Sequence, residues 1–176
     1  MKQFQNINKI SLLIVGLIST QLVNAQNIQI DTLIDTKAIN CYALFQHPES
    51  KIAVLLQDFS RDGQKNVKLN KSKQTMIIGN NTYYGVQGYR YYKTAHTEQN
   101  DLAVDRHVFG SQLIKIALQK HKSGKTQSNG YYFVFKGTPT TVLYHLRKVV
   151  GDDWNIENAL DETPQGNSKL SCGYTR

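Results

Sequence analysis

Thr75-Met76-Ile77-Ile78-Gly79-Asn80-Asn81-Thr82-Tyr83-Tyr84-Gly85-Val86 is the stretch that decides the fold. Two arms rich in β-branched and aromatic residues flank Gly79-Asn80-Asn81, whose residue types take positive φ readily. That pattern predicts a β-hairpin. The second arm is expected to run on to Lys93, with Gly85 and Gly88 marking bulges or close backbone contacts. On one continuous strand, Tyr84, Val86, Arg90 and Tyr92 face one way, and Tyr83, Tyr89 and Tyr91 face the other.

Working outward, Gly130 to Phe135 and Gln112 to Gln119 read as strands, and Lys169 to Tyr174 as a last strand carrying Cys172. Asn27 to Ile34 alternates as an edge strand does. Lys51 to Phe59 is an apolar run expected as a buried strand, and Asn66 to Leu69 resumes a strand beyond the Ser60–Gly63 turn. Lys37 to Gln46 fits a short helix or a strand. The polar stretches Thr94 to Asp101 and Lys120 to Asn129 read as loops, and Asp152 to Ser168 is acidic and polar.

One helix is well specified, from Pro139 to Val150. Thr138 suits the N-cap and Pro139 the first turn, where no intrahelical donor is needed. Val142, Leu143, Leu146, Val149 and Val150 share a face at helical spacing. Arg147 and Lys148 favour the negative end, and Gly151 terminates it. The expected class is α+β: a single domain over residues 26–176, an antiparallel β-sheet packed by one or two helices.

The composition agrees. In 176 residues, 40% are hydrophobic and 10% aromatic, with 12 glycines and 3 prolines, which excludes collagen, a disulfide-dense miniprotein and wholesale disorder. The start is different in kind. Lys2 and Lys9, the apolar run Ile10 to Ile18, and small residues leading to Ala25 form the pattern of a secretory signal peptide over residues 1–25. Removing its two lysines from 21 basic residues leaves 19 against 13 acidic ones, or +6. The expected location is periplasmic or secreted, with no stable membrane span after cleavage and no nucleic-acid partner.

An even cysteine count in an exported chain predicts a disulfide, Cys41 to Cys172. The alternative makes Cys41 a nucleophile at a helix start, where the dipole lowers its pKa, with His107 of Arg106-His107-Val108 as base. That pairing resembles cell-wall amidases of the papain-like class, in which a helix-starting cysteine pairs with a later strand histidine. The resemblance implies a cell-envelope cysteine amidase or peptidase. The chain lacks that class's glycine-rich approach to the cysteine.

Five tyrosines, Tyr83, Tyr84, Tyr89, Tyr91 and Tyr92, cluster around Arg90. Tyrosine and arginine are enriched at interface hot spots, so Tyr84, Arg90 and Tyr92 are the expected binding residues. Two spaced basic runs follow: Lys65, Lys68, Lys71 and Lys73, then Lys115, Lys120, Lys122 and Lys125. Such runs are solvated faces, or they steer an acidic partner. The histidines show no metal-ligand spacing, and no phosphate loop or GxSxG is present, so neither metal nor cofactor is expected. Asp58, Asp62, Asp101 and Asp105 pair by spacing alone. The functional expectation is a non-catalytic periplasmic binding protein that engages another macromolecule. Inhibitor or immunity protein against an envelope-targeting toxin or hydrolase is the narrower form, with an acidic protein or an envelope polymer as partner.

Overall fold

The computed structural model describes residues 25–41, 50–61, 66–124, 126–152 and 160–175. The expected signal segment therefore lies outside the described residues except for Ala25, as do Lys65, Lys125 and Asp62. Among the described residues two sheets and three α-helices form an α+β domain. The small sheet has the order β1-β4-β3-β2, built from β1 (Asn27–Gln29), β2 (Lys68–Asn70), β3 (Thr75–Ile78) and β4 (Asn81–Tyr84). The large sheet runs β5-β6-β7-β8-β10-β9 and is antiparallel throughout. Its strands are β5 (Val86–Lys93), β6 (Thr97–Val108), β7 (Ser111–Ser123), β8 (Thr126–Phe135), β9 (Leu160–Glu162) and β10 (Ser168–Thr175).

The hairpin forms as expected, with Thr75 opposite Tyr84 and Ile78 opposite Asn81. Its second arm does not run on to Lys93. At Gly85, with φ of +89°, the chain turns out of the small sheet and enters the large one as β5. The Gln74 carbonyl holds that corner by accepting from the amides of Gly85 and Val86 at 2.7 and 3.1 Å. A bulge between Val86 and Gly88 then shifts the register, as the glycine predicts.

Ile52–Arg61 is a helix, α2, and not the expected strand. Its buried residues, Ile52, Ala53, Leu55, Asp58 and Phe59, repeat at helical spacing, which the unbroken apolar run conceals. α1 (Thr36–Ile39) is capped by Asp35, whose carboxylate accepts from the Ala38 amide at 2.8 Å. After β1, Ile30–Leu33 forms a 3-10 turn, so the expected edge strand is only its first three residues. α3 spans Pro139–Val150, as the sequence predicts.

Thr94 to Asp101 and Lys120 to Asn129 are largely strand. β6 begins at Thr97, β7 reaches Ser123 and β8 starts at Thr126. The outer ends, around Thr97 and His121, lie beyond the packed core, whereas Gln99 and Asp101 are polar because they face the side of the sheet opposite it. All three helices and the small sheet cover one face of the large sheet. Ile39, Leu55, Met76 and Tyr83 share a single core cluster there with Leu102, Ile116, Phe133 and Val142. The disulfide between Cys41 and Cys172 fastens the end of α1 to β10 across a sequence separation of 131. Tyr131 adds a second tie, its hydroxyl donating to the Ala38 carbonyl at 2.6 Å.

Candidate functional site

The other face of the large sheet carries a different set of side chains. Strand register sorts them into three transverse rows: Gly88, Ala103, Lys115, Val134 and Lys169; then Arg90, Asp101, Ala117, Tyr132 and Ser171; then Tyr92, Gln99, Gln119, Gly130 and Gly173. Small residues sit where backbones crowd. A Cβ on Gly130 would lie 2.5 Å from the Cys172 carbonyl oxygen, so that position admits no side chain without parting β8 from β10. A minor apolar cluster of Ala117, Tyr132 and Val134, flanked by Ile114, supports the middle.

Around it the polar groups bond to one another. Asp101, 7% exposed, accepts from Gln99 Nε2 on Oδ1 at 2.5 Å and from Lys115 Nζ on Oδ2 at 3.0 Å. Gln99 Nε2 also donates to the Tyr132 hydroxyl at 2.9 Å, and Gln119 Nε2 donates to Gln99 Oε1 at 2.5 Å. Lys169 Nζ stands 4.8 Å above the Tyr132 ring. Burial, and after it the negative charge of Asp101, push the Tyr132 phenol up to about 12, so it stays a neutral hydroxyl at any ordinary pH. At the sheet edge Arg90 stands beside Tyr92, whose phenol raises the guanidinium's pKa, and Tyr92 keeps 43% of its surface exposed.

Two shallow depressions share Lys115. One, of about 340 Å³, lies between Lys71, Arg90, Lys115 and the floor formed by Gly88 and Ala103. The other, of about 310 Å³, lies between Tyr132, Lys169 and the Thr163–Asn167 turn. Lys71 and Lys115 thus meet at one site, although they come from basic runs far apart in sequence. Their meeting depends on the chain crossing from one sheet to the other at Gly85, a turn that residue spacing does not reveal.

Of the expected binding residues, Arg90 and Tyr92 share this face and Tyr84 does not. Tyr84 belongs to β4 in the small sheet, paired with Thr75 and Gln29, because Gly85 breaks the strand between them. Val86 also departs from the expected face, being fully buried in the core ahead of the bulge.

Cys41 and His107 are not brought together. Cys41 is bridged to Cys172, and a bridged sulfur offers no thiolate. His107 pairs with Gln112, whose carbonyl accepts from the Lys136 amide, whereas Cys172 pairs with Tyr131. The two levels differ by five residues along the strands and by three strands across them. That geometry separates them by about 20 Å.

Other polar clusters tie the fold. Asp58 on α2, 2% exposed, accepts from Asn81 Nδ2 at 2.8 Å and from the Tyr83 hydroxyl, and bonds Arg61 at 3.0 Å. Burial first, then Asp58, push the Tyr83 phenol well up. Ser111 Oγ lies 3.0 Å from His145 Nδ1, joining β7 to α3; at 4% exposure that hydroxyl is out of reach of a substrate. Among the described residues no group of three His, Cys, Asp or Glu side chains is placed to hold a metal ion, and no helix is long and apolar enough to cross a membrane. Compared with protein-family models, curated proteins and solved structures, the chain matches none of them.

Proposed function

We propose that this is an exported, non-catalytic binding protein that engages another protein through the open face of its large sheet, on the side where Arg90 and Tyr92 stand. The observation that carries the reading is the hydrogen-bonded lattice of Gln99, Asp101, Lys115, Gln119 and Tyr132 beside an exposed Tyr92. Ordering a rotamer-rich side chain on binding costs about 0.5–1.5 kcal/mol. With Gln99, Asp101, Lys115 and Gln119 held beforehand, a partner avoids about 2–6 kcal/mol of that cost. Arginine and tyrosine are the residue types that dominate binding energy at such surfaces.

Export is supported by the amino-terminal pattern and by the disulfide, which is compatible with an oxidising compartment. Together they favour the periplasm or the extracellular space as the place of work. Inhibitor or immunity protein against an envelope-targeting toxin or hydrolase is the narrower form of the reading. It fits a small bridged domain whose positive balance suits an acidic target.

The test is a pair of pull-downs from envelope extract, one with the wild-type protein as bait and one with Arg90→Ala/Tyr92→Ala. A protein retained by the first and lost from the second is the expected result. If that protein is a hydrolase, adding the wild-type chain should slow its turnover. Identical sets of retained proteins would remove the face from the account.

A further inference from the structure

We infer that the depression floored by Gly88 and Ala103 is an anion site that receives a carboxylate side chain of an acidic protein partner; this rests on the binding face proposed above. Its floor is closed by small residues. A Cβ on Gly88 would stand only 3.2 Å from the Ala103 Cβ, so no larger residue fits at 88 without displacement. The walls bring cations from both sheets: Lys71 from the turn after β2, Arg90 from β5 and Lys115 from β7.

Among the described residues Asp101 is the one carboxylate lining this depression, and its two oxygens are already engaged by Gln99 and Lys115. Three cations against one carboxylate leave a local excess of +2 over a floor without polar side chains. An incoming carboxylate would halve that excess and accept from the Arg90 fork or the lysine ammonium groups.

The surroundings favour a protein as the source over a glycan. Sugars are gripped by exposed aromatic platforms; here Tyr132 is 8% exposed with Lys169 over it, and the exposed ring, Tyr92, sits beside three cations whose charge selects a carboxylate. What the face offers is Arg90 beside the exposed Tyr92 and the Gln119 amide oxygen, groups suited to protein side chains and main chain.

The experiment uses the purified protein and oligoglutamate as probe, titrated at low ionic strength by calorimetry and by amide chemical-shift mapping. Ala103→Glu places a carboxylate on the floor itself and should weaken oligoglutamate about tenfold or more, with Lys71→Ala giving about threefold. Lys122→Ala, an exposed cation at the far end of β7, should change nothing. Circular dichroism and melting verify that each variant is folded, and Lys71→Glu, in an exposed turn, replaces Ala103→Glu should the latter fail to fold.

Unchanged affinity in Ala103→Glu and Lys71→Glu, or an equal loss in Lys122→Ala, would overturn the site and leave only general charge attraction. Oligogalacturonate or inorganic phosphate binding as tightly as oligoglutamate would overturn the assignment to protein. Failure of the face itself reads differently: oligoglutamate still needs Lys71 and the small residue at 103, while the captured partner is indifferent to Arg90→Ala and Tyr92→Ala.

Discussion

Opening the Cys41–Cys172 bridge tests how the domain is held together, because the bond closes a loop of 131 residues. The chain-entropy relation, about 2.1 + 1.5R ln n in cal/mol/K, gives about 17 cal/mol/K for that loop, or about 5 kcal/mol at 25 °C. Measured losses on removing native bridges span about 2–5 kcal/mol. An unfolding entropy of about 2.1 cal/mol/K per residue, over roughly 150 residues, is about 0.3 kcal/mol/K, so a loss of about 4 kcal/mol lowers Tm by about 13 °C. Cys41→Ala, Cys172→Ala and the reduced wild type should fall close together, since the loop term belongs to the unfolded chain and not to either sulfur. Urea unfolding with and without reductant, alongside thermal melts, measures it. A loss under about 1 kcal/mol, or a free sulfhydryl in the denatured but unreduced protein, would refute the reasoning.

Alkaline pH should destabilise the domain through its buried phenols. Tyr89 and Tyr132 are pushed up to about 12, chiefly by burial, and Tyr83 and Tyr131 are raised further. The folded state therefore keeps protons that the unfolded chain releases near pH 10, so stability is intact below about pH 10 and falls as pH rises towards about 12. Absorbance at the phenolate band should show these four groups ionising together with unfolding, and early, non-cooperative ionisation would contradict it. Gly130→Ala should cost about 2 kcal/mol or more, since its Cβ meets the Cys172 carbonyl; a melt unchanged within a degree or two would refute the close approach. N-terminal mass analysis of exported protein should find Gln26 first, and an intact Met1 would defeat the leader assignment.

Much of the fold is legible in the sequence wherever local chemistry and tertiary environment agree. Pro139–Val150 reads correctly because its cap, its apolar spacing and its terminal glycine all point one way. Ile52–Arg61 misleads because Ile52-Ala53-Val54-Leu55-Leu56 is continuously apolar, and only the buried set reveals the helical period. The polar residues from Thr97 to Asp101 read as loop because one face of their strand is not core but the candidate site. The site itself is half legible. Arg90 and Tyr92 stand out as types on one strand, while Lys71, Lys115 and Lys169 join them only through long-range pairing and the corner at Gly85. Tyr84 is lost to the site through the same corner.

The central claim is that the face bearing Arg90 and Tyr92 is the contact surface, and calorimetry against the partner captured by the wild-type protein tests it most directly. Arg90→Ala and Tyr92→Ala should each weaken binding by more than ~1 kcal/mol, about fivefold in Kd, and the two together by more. Melting temperatures should stay at the wild-type value, because both side chains are exposed and outside the core. Wild-type affinity in both variants, with the domain still folded, would contradict the account.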